Sequence, residues 1–498
     1  MERLSTYVIE RVDPDGGVRE PCQSRVLESA LTLALLRDHP DRTDPAARIA
    51  GYLRRRRDTA DPLDQALIAA ACGSPADHGR PVDLGSYIAQ APDFTTRRKR
   101  VFFEALLIAC GAEDGGAESA PAPEQAAFSH AGLHPWAEAQ TTAVKVIWAT
   151  ARGAQHRIED RDIELLVSLQ NQDEIWEGNL LVHLSALHAL HRLGGHEAVV
   201  RSGADKVLKH QRRDGGIPFF TDTDTWCTAT AGVALMAAGA PDDVIQTIAD
   251  NLVQRQKPNG GWSVTDIANV TDIDDTSVIL ELLQTHDDPA HEKAIERGRQ
   301  SLLTTRGPDG GFPTYVAGAP SEMCMTAAAI NALSCRPPHD PTVLPNALEY
   351  LAGGQREDGT FPPDWSASRL HVMFRAVLAV LPFDVPRAHT VRTRAFDHIL
   401  RTQNADGGWG QQPESTSDPV STAYALIALC HQPDPRPVAA GIEYLMARQN
   451  SEGSIDSISD SIGLRFPRDA ERVDRGSDGT HERNTDHGRP QKVLVGVA

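Results

Sequence analysis

The feature that most constrains this chain is an internal repeat of about 48 residues, a period that implies similar supersecondary units stacked or closed in a ring. It runs KVLKHQRRDGGI, NLVQRQKPNGGW, SLLTTRGPDGGF, EYLAGGQREDGTF, HILRTQNADGGW and EYLMARQNSEGSI, with Gln211, Gln256, Arg306, Gln355, Gln403 and Gln449 at the repeated position. Each copy ends an apolar helical stretch, passes a polar residue and a glycine turn, and opens a second helix such as ATAGVALMAAG, TSVILELLQ, TAAAINAL or TAYALIAL. Glycine adopts the backbone angles of such a turn cheaply. Two helices per repeat, with almost no strand alternation, predict an all-α fold in which five or six helix pairs close into an α/α barrel.

The first half carries the pattern more faintly. YVIERVDPDGGV precedes SRVLESALTLALL, and ELLVSLQNQDEIWEG precedes LVHLSALHALHRL. The stretch at residues 111–127 is rich in Ala, Glu, Pro and Gly and reads as an exposed loop. After about residue 456 the apolar pattern stops, so residues 456–498 read as a polar, disordered tail.

Charge narrows the function classes. Lys and Arg number 49 against 68 Asp and Glu, a net charge of −19. Nucleic-acid binders show a basic footprint, and anionic membrane surfaces attract basic segments, so neither is an expected partner. No apolar run is long enough for an integral membrane segment. The opening residues lack an apolar stretch following a basic one, and the seven cysteines form no CxxC pair. A reduced, cytoplasmic protein, monomeric or homodimeric, is the expectation.

The Gln…Asp-Gly-Gly-Trp repeat resembles the QW motif of class II terpene cyclases, the group of squalene–hopene cyclases and bacterial diterpene cyclases. About ten residues after the Gly-Gly-Trp262 turn stands Asp272-Ile273-Asp274-Asp275-Thr276-Ser277. It is similar to that family's Asp-x-Asp-Asp-Thr-Ala/Ser motif, and it opens an apolar helix. TDTWCTATAGVALMAAG, GGFPTY and PDWSASRLHVMF resemble segments that carry cavity aromatics, which places Trp226, Tyr315 and Trp365 at those positions and His371 where an aromatic is replaced. The match covers roughly residues 160–455.

The resemblance implies two all-helical α/α-barrel domains. Residues 175–455 form a β-like domain, completed by residues 1–25 in the way of relatives in which the other domain is inserted, and residues 26–174 form a γ-like domain. It also implies a reaction: protonation of a linear isoprenoid and cyclisation, with Asp274 as acid and Asp272 and Asp275 positioning it. A prenyl diphosphate such as geranylgeranyl diphosphate, its diphosphate retained, is the leading substrate. A neutral polyprenyl or meroterpenoid chain is the alternative, and a non-catalytic helical scaffold is the alternative of another class.

Alkenes are very weak bases, so the acid must be neutral and strongly driven to lose its proton. Burial and neighbouring carboxylates keep one member of such a cluster protonated. The cation that follows needs a dry cavity and aromatic faces, the role assigned to Trp226, Tyr315 and Trp365. His371 is a candidate terminating base. Trp262 and Trp409 follow Gly-Gly and read as structural. Asp274 or Asp275 would also serve as a helix N-cap.

Two departures from the family pattern bear on the site. The histidine that holds the acid in hopene cyclases falls near Ala327 or Ala328. The acidic EDxxD-like pair aligns with Cys22-Gln23-Ser24-Arg25. The nearest match to the Asp-x-Cys zinc spacing of protein prenyltransferase β subunits, Asp224…Cys227, has the wrong spacing. The sequence therefore yields no metal ligand set and no cofactor for the chemical step, with magnesium only a counter-charge for a diphosphate.

Overall fold

The computed structural model describes residues 2–37, 40–57, 61–73, 93–111, 125–457 and 491–493. Among these the strands form two short antiparallel ladders, Ser24–Arg25 with Ile217–Pro218 and Ile455–Ser457 with Gln491–Val493, and the rest of the regular structure is helical. The chain divides into two compact units. One comprises Glu20–Thr223 with Ile267–Val270, the other Met1–Arg19, Asp224–Asp266 and Thr271–Ala498.

After α1 (Glu2–Ile9), which belongs to the second unit, the first unit contains α2 (Val26–Leu36), α3 (Thr43–Arg54), α4 (Pro62–Cys72), α5 (Asp93–Ala109), α6 (Pro135–Ala151), α7 (Asp160–Ser168), α8 (Leu180–Leu193) and α9 (Glu197–Lys209). Helices α2, α4, α5, α6 and α8 pack each on the next, and α8 returns to α2. Every residue of α2, and Leu180–Leu190 of α8, is buried, as an inner helix requires. Helix α3 buries only Ile49, Tyr52 and Leu53, and α9 buries a single stripe of Val200, Gly203, Ala204 and Val207. These are outer helices with one apolar face.

A division at residues 174 and 175 is therefore too early. Helix α8 packs on α6 and α2, and α9 packs on α8 and α2, so both belong to the first unit. The Gln211 turn goes with them. Gln211 donates to Gly215 O and to Pro45 O in the first turn of α3, so the glutamine–glycine device serves both units and does not mark the boundary. The expected 111–127 loop lies outside the described residues over 112–124. The expected tail does so over 458–490 and 494–498, and its residues Gln491–Val493 form the strand noted above.

The second unit alternates inner and outer helices. In chain order these are α10 (Asp224–Ala237), α11 (Asp242–Gln254), α12 (Ile273–His286), α13 (Glu292–Thr305), α14 (Met323–Ser334), α15 (Val343–Gly353), α16 (Leu370–Val380), α17 (Pro386–Arg401), α18 (Pro419–Leu429) and α19 (Pro435–Met446). The inner series α10, α12, α14, α16, α18 packs in sequence, and each is backed by the outer helix that follows it. The turn at Gly453 lies against Arg3 of α1, and the turn at Gly16 lies against Thr247 of α11. Helix α1 thus takes the outer position between α19 and α11 and ties the end of the repeat array to its beginning.

The repeat residues explain the array. Gln256 Nε2 donates to Gly260 O at 2.8 Å in its own turn and to Ala294 O at 2.7 Å on the next outer helix. Gln403 does the same with Gly407 O and Pro437 O. Gly260 has φ +91°, and a Cβ there would stand 2.4 Å from the Arg297 carbonyl oxygen, so only glycine lets the turn sit on that helix. Trp262 and Trp409 are fully buried, and their indole N–H groups donate to Leu252 O and Ile399 O. They hold the repeats together, as buried polar groups with partners do.

Candidate active site

The aspartate motif starts α12. Its N-cap is Asp272, not Asp274 or Asp275: the Asp272 carboxylate accepts from Asp275 N–H at 2.8 Å. Two repeat turns grip this start, because Asp272 N–H donates to Trp262 O and Ile273 N–H donates to Thr314 O. Asp272 and Asp275 are buried, whereas the Asp274 side chain stays 22% exposed. The cap therefore turns two carboxyl groups into the protein and leaves the third accessible.

Burial pushes both buried acids above the usual carboxylate range, and their mutual proximity adds to this for Asp275. The two carboxyl groups share this buried cap, and the Asp275 backbone N–H on the Asp272 carboxyl group holds them together. The nearby Asp274 raises both further. Asp274 itself pairs with the guanidinium of Arg375 on α16. Arg375 is buried, and although burial opposes its charge, Asp274 more than restores it. A third raised acid, partly buried, follows two turns along α12: desolvation raises Glu281 to about 7, against the opposing charge of Arg375.

The next turn supplies a second polar group. Thr314 Oγ1 donates to the Glu322 carboxylate and accepts from the Trp365 indole N–H at 3.3 Å. Burial raises Glu322, and Asp364 adds to the rise. Tyr315 is partly buried, and its phenol is pushed well up by burial and by the surrounding acids, Asp272 first among them. Beyond it, His371 Nδ1 lies 2.7 Å from Asp364 Oδ2, and Cys324 Sγ lies 3.6 Å from the same ring nitrogen. Burial pushes Asp364 up, but the adjacent His371 outweighs it and the carboxyl falls below its ordinary value. The His371 ring stands 5.6 Å from Phe374 and 5.2 Å from Tyr424, which stack on each other at 4.9 Å.

Of the residues singled out from the sequence, Asp272, Asp274, Asp275 and Tyr315 form one electrostatic group. Trp365 joins it through Thr314, with 43% of its surface open. His371 stands one helical turn before Arg375 on α16. Trp226 lies in the first turn of α10, partly buried, its backbone N–H donating to Val264 O, and α10 packs on α12. Sequence reasoning missed Arg375, Glu281, Glu322, Phe374 and Tyr424. A signal existed for two of them: Arg375 is the one charged residue in LHVMFRAVLAV, and Glu281 interrupts the apolar run VILELLQ.

Among the described residues no helix is long and apolar enough to cross a membrane.

The squalene-hopene cyclase C-terminal domain family matches residues 319–470. The drimenyl diphosphate synthase of Streptomyces showdoensis is 37% identical over 486 residues, covering 93% of this chain and 90% of the relative. That of Streptantibioticus cattleyicolor is 35% identical over the same length and coverage. Among solved structures, ent-copalyl diphosphate synthase from Streptomyces platensis superposes with a TM-score of 0.59 at 16% identity, covering 94% of this chain and 96% of that one, a likeness of fold. Two relatives above 30% identity along nearly the whole chain, together with the all-helical fold, establish that this protein belongs to the class II terpene cyclases, enzymes that start cyclisation by protonation.

Proposed function

We propose that this chain protonates the terminal alkene of a linear prenyl diphosphate at Asp274, closes rings by carbocation addition, and leaves the diphosphate attached. The observation that carries the reading is the division of labour in the aspartate motif. Asp272 and Asp275 are buried and held above the usual carboxylate range, and of the three Asp274 alone is both accessible and paired with a cation. In the state that starts the reaction Asp274 is protonated and neutral, and it accepts a hydrogen bond from Arg375. Proton transfer leaves the carboxylate, and the contact becomes the ion pair that stabilises that product in a low-dielectric setting. The alkene carbon gains the proton, and the cation passes along the folded chain. Trp226, Tyr315 and Trp365, with the rings of Phe374 and Tyr424, offer π faces to it.

The names of the two relatives support the substrate class. Drimenyl diphosphate is an isomer of farnesyl diphosphate, one isoprene unit shorter than geranylgeranyl diphosphate, so farnesyl diphosphate comes first in testing and geranylgeranyl diphosphate second. Magnesium would act only as a counter-charge for the diphosphate. Seven free cysteines and the acidic charge favour the cytoplasm as its place of action.

The test is incubation of purified protein with farnesyl and geranylgeranyl diphosphates and with neutral polyenes, followed by phosphatase treatment and product analysis. A cyclic alcohol after phosphatase, absent without it and absent with Asp274→Asn, supports the reading. Turnover of the neutral polyenes alone moves the assignment to the neutral-substrate alternative. No turnover of any linear isoprenoid favours the scaffold alternative.

A further inference from the structure

Cys324, Asp364 and His371 come from three separate segments: the first turn of α14, the turn that precedes α16, and the first turn of α16. Their donor atoms all lie within 4.8 Å of one another. Cys324 is fully buried, His371 is buried, and the Asp364 side chain is 7% exposed. The Ser366 backbone N–H donates to the other Asp364 oxygen at 2.9 Å, which fixes the carboxylate's orientation. Supports of this kind aim the ligands of metal sites.

The donor set is selective. A thiolate, an imidazole and one carboxylate suit zinc and similar divalent ions, whereas magnesium and calcium take oxygen ligands. Zinc bonds of ~2.0–2.3 Å in a tetrahedral arrangement put ligand atoms roughly 3.3–3.7 Å apart. The 3.6 Å between Cys324 Sγ and His371 Nδ1 already has that value. The 2.7 Å between His371 Nδ1 and Asp364 Oδ2 is a hydrogen bond, and the carboxylate must draw back by about half an ångström to become a ligand.

We infer that Cys324, Asp364 and His371 bind a zinc-class divalent ion through Sγ, one carboxylate oxygen and Nδ1, with the fourth position left for an exogenous ligand. This inference rests on the geometry of the three side chains and not on the cyclase mechanism. Protons balance as follows: the thiol proton is released, and the imidazole carries its proton on Nε2 and binds the metal through Nδ1. The dication with one thiolate and one carboxylate sums to zero charge. A neutral site is compatible with a neighbouring cavity that hosts a carbocation, whereas an uncompensated dication would repel it. The alternative occupant of the same geometry is an Asp364–His371 dyad that acts as the terminating base with no metal.

The experiment measures metal content and affinity. Purified full-length protein is stripped with a chelating resin, reloaded with Zn²⁺ or Co²⁺ and desalted, and bound metal is measured by mass spectrometry. One equivalent per chain is expected, with a thiolate-to-cobalt charge-transfer band for Co²⁺ and a rise in Tm on loading. Cys324→Ser should abolish the band, and Asp364→Asn should weaken Zn²⁺ binding by at least roughly tenfold. Cys335→Ser, at an exposed thiol, should leave both unchanged. Circular dichroism checks that each variant is folded, and if Cys324→Ser is not, Asp364→Asn decides. Wild-type protein that retains well under one equivalent, or a cobalt spectrum that Cys324→Ser does not alter, overturns the assignment and leaves the metal-free dyad.

Discussion

The guanidinium of Arg375 on α16 donates to the carboxylate of Asp274 on α12, although α14 packs between those two inner helices. Such a contact requires both side chains to point into the middle of the ring. The segment of α14 between them is small: Ala327 and Ala328 are fully buried alanines. These are the positions where the family resemblance places a histidine that holds the acid. The contact to Asp274 comes instead from an arginine on the next inner helix.

Replacing Arg375 with Gln should lower kcat by roughly 10²–10³, the usual cost of losing one preorganised donor to a charge that develops in the reaction. KM should change little, because the prenyl chain does not need the guanidinium to bind. Arg375→Lys should recover part of the loss, since it keeps the charge but not the planar fork. Steady-state product formation by both variants checks this. A kcat near that of wild type for Arg375→Gln would remove the arginine from the reaction.

Asp274→Asn keeps the size of the side chain and removes its transferable proton. Cyclisation should fall by about three orders of magnitude or more, at the upper end of the ~10²–10⁴ usual for a general acid, because among the described residues no other group is placed to protonate the alkene in its stead. Substrate affinity, measured by calorimetry or by protection against thermal unfolding, should persist. The variant also loses its ion pair with Arg375, so a modest fall in Tm is expected alongside. Near-normal turnover would mean that another group protonates the alkene.

Glu281 gives a pH signature. Burial raises its pKa from 4.5 to about 7, so between these values the folded chain holds a proton that the unfolded chain has lost. Stability from this group is full below pH 4.5 and declines as pH rises to about 7, by roughly 3 kcal/mol over the window. The buried Asp272 and Asp275, also raised, act in the same direction. Chemical denaturation of wild type and Glu281→Gln from pH 5 to pH 8 checks the sign. The wild type should lose stability on going up in pH, and the variant should show a flatter slope. Equal slopes would show that Glu281 titrates without coupling to folding.

Much of this was legible in the sequence because repeats and helical periodicity are local. The Gln, Gly-Gly and Trp positions announced the array, and the Asp272–Asp275 stretch announced the acid cluster. The unit boundary was not legible, since Gln211 and Gly215 use the same hydrogen bonds as the later repeats and only the packing of α8 and α9 shows which ring they serve. Arg375 was not legible as a partner for Asp274, because the pair spans about 100 positions and two inner helices. The Cys324, Asp364 and His371 group was hidden for a related reason. Its residues follow no ligand spacing and meet only because successive inner helices start at one end of the ring.

Magnesium supplies the last prediction. The segment Cys22–Arg25 stands where relatives carry the acidic pair, and it offers no carboxylate of its own. Ser24 Oγ donates to Asp214 at 2.7 Å, and Arg25 lies over the Phe219 ring and 3.4 Å from the buried Glu28 carboxylate. Since Mg²⁺ keeps most of its waters and binds through substrate phosphates with one or two carboxylates, a diphosphate substrate should carry its own magnesium with little help from this segment. Withholding Mg²⁺ from protein already loaded with Zn²⁺, with no chelator present, should slow turnover of a prenyl diphosphate by less than about tenfold, the effect of screening a diphosphate's charge rather than of losing a chemical step. A neutral polyene should show no dependence. Product formation across a Mg²⁺ titration measures both. Complete loss without Mg²⁺, restored on its addition, would reveal a magnesium site built by residues outside that segment.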